Sequence, residues 1–115
     1  MVEAINVAKC YKVEYECSGW FVGCSTWKFE HLMDKLNIKC EEVNNGEWDI
    51  DKDSVEVAID NLEKIIIGEE TEINDEQLYD CLEEVQMSIH ELELFLCWLI
   101  VASDKDNEFI HVAFF

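Results

Sequence analysis

Asp49, Asp51, Asp53 and Asp60 fall in the stretch GEWDIDKDSVEVAID, Gly46 to Asp60, at the first, third, fifth and twelfth places of a calcium-loop count. A loop of that kind also needs Gly at the sixth place for its sharp turn and a bidentate Glu at the twelfth. Here Ser54 holds the sixth place, Glu56 holds the eighth where an apolar residue belongs, and the shorter Asp60 holds the twelfth. Asn45-Gly46 also interrupts any helix leading into the loop. A calcium-dependent module is therefore only an alternative. Helix capping by Asp53 and surface charge account for the stretch more simply.

A second set is Cys10, Cys17, Cys24 and His31, spaced evenly seven apart. Zinc sites bring ligands in pairs about two to four residues apart, so that one short knuckle directs both at the metal. No such pair occurs among these four. With Cys40, Cys81 and Cys97 they make six thiols that read as small core hydrophobes in a reducing compartment. A thiol-dependent module is a further alternative. A Cys–His nucleophile has no local signature, and neither a Gly-rich phosphate loop nor a GxSxG elbow is present. His90 lies beside an apolar helical face and His111 alternates inside a final strand, and both read as structural. The expectation is a protein that is not an enzyme, with no catalytic residue, metal or cofactor.

Charge is the more informative signal. The chain has 115 residues, 27 carboxylates, eight lysines, no arginine and a formal charge of −19. Between Glu41 and Glu93 stand 19 of those carboxylates and only two lysines, Lys52 and Lys64. Solvated surfaces ordinarily mix both signs, so this segregation points to a purpose beyond solubility. It also argues against direct binding of nucleic acid or an anionic membrane, and for a basic partner. For any one residue, a solvated helix face or a favourable charge at a helix N-terminus is the simpler account.

The elements that must carry this charge follow from periodicity. Val7, Tyr11, Val13, Tyr15 and Cys17 alternate with polar residues and predict one half-buried strand. Ser18-Gly19 turns the chain, and Trp20 to Ser25 returns as a second strand. Thr26 caps a helix whose Phe29, Leu32, Met33 and Leu36 recur at helical spacing. Asn45-Gly46 is a hairpin signal between IKCEEV and EWDI. Asp53 with Glu56 opens a second helix, with Val55, Ile59, Leu62 and Ile66 on its buried face, and Gly68 ends it. Asn74 with Gln77 opens a third.

In that third helix Leu78, Leu82, Val85, Ile89, Leu92, Leu96 and Leu99 keep a heptad rhythm, predicting one continuous helix over 74–103. Its second half, LFLCWLIVA, is apolar all round and is expected to be buried on every side. That apolar run is nine residues, short of the roughly 20 a membrane span needs. Met1 to Lys12 lacks the basic start and apolar core of a signal peptide. The expectation is a single α+β domain over 1–115, in the cytoplasm of a bacterial host. A small antiparallel sheet, made of an N-terminal hairpin and the C-terminal strand, packs with about three helices.

In the predicted hairpin strand, Glu47, Asp49, Asp51 and Asp53 share one side, about 6.6 Å apart. That is the scale of successive phosphates on one nucleic-acid strand, which rise roughly 3.4 Å along the axis and wind around it. Glu69, Glu70 and Glu72 from a loop, and Asp75, Glu76, Asp80, Glu83 and Glu84 from the third helix, extend the set into one ridge. Trp48 joins it as an aromatic anchor, or pins the hairpin to the second helix. The expectation is a small acidic inhibitor that fills the basic groove of a nucleic-acid-binding protein, with carboxylates in the places of phosphates. A phage anti-defence protein acting on a CRISPR nuclease or restriction enzyme is one setting. An immunity protein for a nuclease toxin is another. A structural subunit that dimerises through the long helix is the alternative from another class. Neutralising Glu47, Asp49, Asp51 and Asp53 together is expected to leave folding intact and to abolish partner binding.

Overall fold

The computed structural model describes residues 5–10, 14–17 and 26–115. In chain order these form β1 (Ile5–Cys10), β2 (Glu14–Cys17), α1 (Thr26–Lys35), β3 (Cys40–Asn44), β4 (Glu47–Asp51), α2 (Lys52–Ile66), α3 (Asp75–Val85), α4 (Ile89–Ala102) and β5 (Phe109–Phe114). The strands make one sheet in the order β2-β1-β5-β4-β3, and every neighbouring pair is antiparallel. The class is α+β, as the residue pattern predicts. The C-terminal strand is the centre of the sheet, joining the N-terminal hairpin to the hairpin of residues 40–51.

The alternating run Val7 to Cys17 is not one strand. It folds back so that Val7 faces Glu16 and Ala8 faces Tyr15 across β1 and β2. Period-two alternation is the same whether a chain continues or reverses, so the pattern could not reveal the reversal. The expected turn at Ser18-Gly19 and the return strand Trp20 to Ser25 lie outside the described residues. The Asn45-Gly46 turn forms where expected, with Gly46 at φ +75°. Positive φ there is what a glycine supplies at little cost. The Gly46 carbonyl also accepts from the Phe114 amide at 2.8 Å, tying the turn to β5.

One face of the sheet makes the core. Trp48 and Ile50 of β4, Ile110, Val112 and Phe114 of β5, and Ile5 and Val7 of β1 are buried under the helices. Phe29 of α1 packs on Trp48 at 5.5 Å and on Phe114 at 5.4 Å, and Trp48 meets Phe114 edge-on at 5.4 Å. Tilted and edge-on ring pairs of this kind add about 0.5–1.5 kcal/mol each beyond area burial. Phe29, Leu32, Met33 and Leu36 are all buried, as their spacing predicts. α3 lies against α1, and α4 against α2 and β1.

The continuous helix expected over 74–103 is two helices. α3 ends at Val85, Gln86 turns left-handed at φ 57°, and α4 begins after Ser88, at 84° to α3. Ser88 accepts from the Glu91 amide at 3.1 Å, and the Glu91 carboxylate accepts from the Ser88 amide at 3.2 Å. That reciprocal capping box satisfies amides that a continuous helix would have bonded internally. The heptad leucines remain on the inner side through the corner, and Leu78, Leu82, Val85, Leu92, Leu96 and Leu99 are buried in the protein's own core. The heptad positions, which the alternative of a dimer seam would also use, thus pack within one chain. The apolar second half is not buried all round either, since Leu94 is 64% and Val101 78% exposed and Cys97 is exposed. No single helix among the described residues is long and apolar enough to cross a membrane.

Candidate functional site

The expected acidic ridge divides into two surfaces, because the residues that were to form it sit on different layers. On β4, Trp48 and Ile50 point into the core, so Glu47, Asp49 and Asp51 point to the opposite face of the sheet. The α2–α3 loop and α3 belong to the helical layer on the other side, where α3 rests on α1 and α1 rests on Trp48.

The β4 carboxylates are bound into the fold. β4 pairs with β5 so that Asp49 stands opposite His111. The His111 side chain is fully buried, with Nδ1 2.8 Å from Asp49 Oδ1 and Nε2 2.9 Å from Glu47 Oε1. A neutral imidazole has one N–H and one lone pair, and a lone pair facing a carboxylate oxygen is repulsive. Each ring nitrogen has a carboxylate oxygen within hydrogen-bond distance, and which nitrogen donates depends on the tautomer. Tyr15 of β2 stands edge-on to His111 at 6.0 Å, and Phe115 edge-on to Tyr15 at 5.6 Å. Burial, with Glu47 and Asp49 adding to it, pushes the Tyr15 hydroxyl above its ordinary pKa.

Asp51 is committed too. It is the N-cap of α2, and its carboxylate accepts from the Ser54 amide at 3.1 Å. Asp53, expected both on the strand and as the cap, is in the first turn of α2, exposed, where its charge favours the helix dipole. The strand ends two residues earlier than the alternation suggests, because Asp51 and Ser54 already satisfy the helix start. The buried face of α2 is Val55, Ala58 and Leu62, with Ile59 partly buried and Ile66 exposed. Trp48 is 2% exposed and belongs to the aromatic core. This corrects its expected place among the partner-contacting residues. Trp48 packs on Phe29 and Phe114, in one core with Val55, Ala58 and Leu62 of α2.

The other surface is different in kind. Glu69, Glu70, Glu72, Asp75 and Glu76 are all exposed, and none makes an ion pair among the described residues. Gly68 at φ +86° closes α2, and Asn74 caps α3 by accepting from the Gln77 amide at 3.1 Å, as the spacing predicts. Between these two helix ends the chain frames a depression of about 450 Å³, lined by Glu69, Glu70, Asp75 and Glu76 with Ile65 and Ile73 at its floor. Asp80, Glu83 and Glu84 continue the charge along the exposed side of α3. The two lysines of the acidic segment do not offset it. Lys52 Nζ donates to the carbonyls of Asp104 and Asn107 at 3.0 and 2.9 Å, and Lys64 pairs with Asp60 at 3.3 Å.

The thiols that the structure describes are held protonated. Burial pushes Cys40 up to about 11, with Glu30 and Asp34 adding to it. Burial likewise takes Cys81 up to about 11; Glu84 adds and Lys35 opposes. Cys97 is raised by burial first, then by Glu93 and Glu63. Thiols raised in this way are weak nucleophiles and weak metal ligands at neutral pH. Cys24 and the side chains of Cys10 and Cys17 lie outside the described residues. Among the described residues no three His, Cys, Asp or Glu are placed to hold a metal ion. Asp49, Asp51, Asp53 and Asp60 span a strand and a helix rather than a loop.

His111 is the residue whose role the sequence concealed. Its signal was present in FIHVAF, where a polar ring alternates with Ile110 and Val112, but its partners are 62 and 64 positions away. The chain matches no protein-family model, no curated protein and no solved structure in the comparisons made.

Proposed function

We propose that this chain is a small acidic inhibitor of a basic nucleic-acid-binding protein, whose groove it occupies with carboxylates in the places of phosphates. The observation that carries the reading is the unpaired row Glu69, Glu70, Glu72, Asp75 and Glu76, continued by Asp80, Glu83 and Glu84 along α3. On a helix, carboxylates four apart are about 6 Å apart along the axis. An exposed row of one sign costs self-repulsion in the free protein, and a lysine- and arginine-rich groove removes that cost on binding. Opposed charge also accelerates encounter.

The setting that fits is the cytoplasm of a bacterial host, with a phage anti-defence protein acting on a nuclease as the first reading. An immunity protein bound to a nuclease toxin uses the same chemistry. Both rest on charge and size. The test is affinity capture from host lysate with wild type and with a variant carrying E69Q, E70Q, E72Q, D75N and E76Q. The expected result is a nucleic-acid-binding protein retained at low salt, released by high salt or by added DNA or RNA, and lost from the variant. Capture that is indifferent to salt, nucleic acid and these substitutions overturns the reading.

A further inference from the structure

The edge of the sheet at β3 offers a second mode of contact. Among the described residues β3 is the last strand, paired with β4 alone, and Glu41, Glu42, Val43 and Asn44 are exposed. The Asp51 amide donates to the Lys39 carbonyl at 2.8 Å, so the backbone of Lys39 faces β4. By the alternation of an antiparallel ladder, the amides and carbonyls of Cys40 and Glu42 face outward. An exposed edge of this kind is a template for another strand, and proteins usually blunt it with lysine, proline or a covering segment. Here the strand is short, carries two glutamates and shifts register between Glu42 and Asn44, but has neither lysine nor proline, so Cys40 to Glu42 remain open to pairing.

Two depressions flank this edge, one on each face of the sheet. On the helical side one of about 280 Å³ is lined by Glu30, Asp34, Glu42, Cys40 and Trp48, together with Ile38. On the opposite side one of about 440 Å³ is lined by Glu41, Asp49, Asp51 and Phe109, with Lys39 and Cys40 at its border. Successive side chains of an added strand point to opposite faces, so they alternate between these two hollows. The first hollow presents Glu30, Asp34 and Glu42 and the second presents Glu41 beside the committed Asp49 and Asp51, above apolar or aromatic surface. Lysine and arginine suit such places, with an aliphatic stem to pack and a charged head to pair.

We infer that β3 receives an extended, lysine- or arginine-rich segment of the partner by strand addition, its backbone pairing with Cys40 and Glu42 and its basic side chains entering both hollows. This rests on the reading of the partner as basic. It adds that recognition is partly main-chain pairing, which gives affinity, while the two hollows give selectivity.

The test uses the whole protein and a short synthetic peptide alternating lysine with threonine. A second peptide of equal charge is N-methylated at alternate backbone amides on its pairing edge. The expected result is binding of the first peptide, slowed exchange of the Cys40 and Glu42 amides, and binding of the second weaker by about tenfold or more, the loss of one or two backbone hydrogen bonds. Glu42→Pro, which removes an outward amide, is expected to weaken the first peptide by at least about tenfold, and Glu42→Gln by only about twofold. Circular dichroism of both variants checks that the sheet persists. Equal binding of the two peptides overturns strand addition and leaves the charge-based reading standing, as does binding without protection of those amides. Absence of binding by either peptide also overturns strand addition. The proposed function fails on a separate readout, unchanged capture by the loop variant.

Discussion

On β4, Glu47 and Asp49 close on His111 at 2.9 and 2.8 Å and Asp51 caps α2, whereas Glu69 to Glu76 carry five exposed carboxylates that make no ion pair among the described residues. Both regions look alike in composition. Their carboxylates differ in what the fold would lose without them. The β4 set offsets its own desolvation by hydrogen bonds to His111 and to the Ser54 amide, so it is part of the architecture that holds β4 to β5 and starts α2. The loop set contributes mainly charge, with Asp75 and Glu76 also favourably placed in the first turn of α3, and is the part of the surface whose neutralisation is expected to leave the fold unaltered. A negative residue that is tied down is a poor candidate for a transferable contact; an untied one in a like-charged row needs another explanation.

The sharpest way to break this contrast is His111→Ala. It removes the buried ring that both Glu47 and Asp49 bond and leaves a cavity in its place, a loss of about 3 kcal/mol. Urea denaturation should show that loss as a lower midpoint with an unchanged slope. Combined neutralisation of Glu47, Asp49, Asp51 and Asp53 is accordingly expected to destabilise the fold, which corrects the expectation drawn from the sequence. The five-substitution loop variant should remain within about 0.5 kcal/mol of wild type, as surface changes generally do. Equal costs in the two regions would abolish the distinction.

A finer contrast lies within one stretch. Asp51→Ala removes the cap of α2 and should cost about 1 kcal/mol. Asp53→Ala loses only a favourable position near the helix dipole, about 0.3 kcal/mol at an exposed site. Thermal melts of the two variants at equal ionic strength separate these. If the order reverses, the cap is at Asp53 and the strand is longer than described.

Local chemistry was legible in the sequence, and its limits are instructive. Asn45-Gly46 forms its turn, Asn74 caps α3, and the spacing of Phe29, Leu32, Met33 and Leu36 marks the buried face of α1, because each depends on neighbours a few positions away. The corner between α3 and α4 was hidden by the heptad, since core-facing residues keep their rhythm when both helices line the same core. Ser88-Ile89-His90-Glu91 carried the contrary signal as a capping box, in a place where no glycine or proline drew attention to a break. Asp53 with Glu56 resembled a helix start as closely as Asp51 with Ser54 does, and only the hydrogen bond decides. The acidic segregation was plain from composition. Which carboxylates are occupied was not, because His111 reaches Glu47 and Asp49 through the register of β4 on β5.

The smallest effect expected is on a thiol. Cys81 is buried and pushed up to about 11 from an ordinary 9.0, mainly by burial and then by Glu84, with Lys35 acting the other way. A folded thiol raised in this way keeps its proton where the unfolded chain has released it. Its contribution to stability is therefore fully present below pH 9 and is lost as the pH rises through about 11. Cys40, raised to about 11 by burial with help from Glu30 and Asp34, shares the same alkaline window. Glu84→Gln removes part of the field on Cys81 and should lower its titration midpoint, read from the Cβ chemical shift. Glu47→Gln, on the other layer, should leave that midpoint in place. A shift in response to Glu47→Gln would mean that the two acidic surfaces act on each other through the protein, and that the separation drawn between them is one of packing alone.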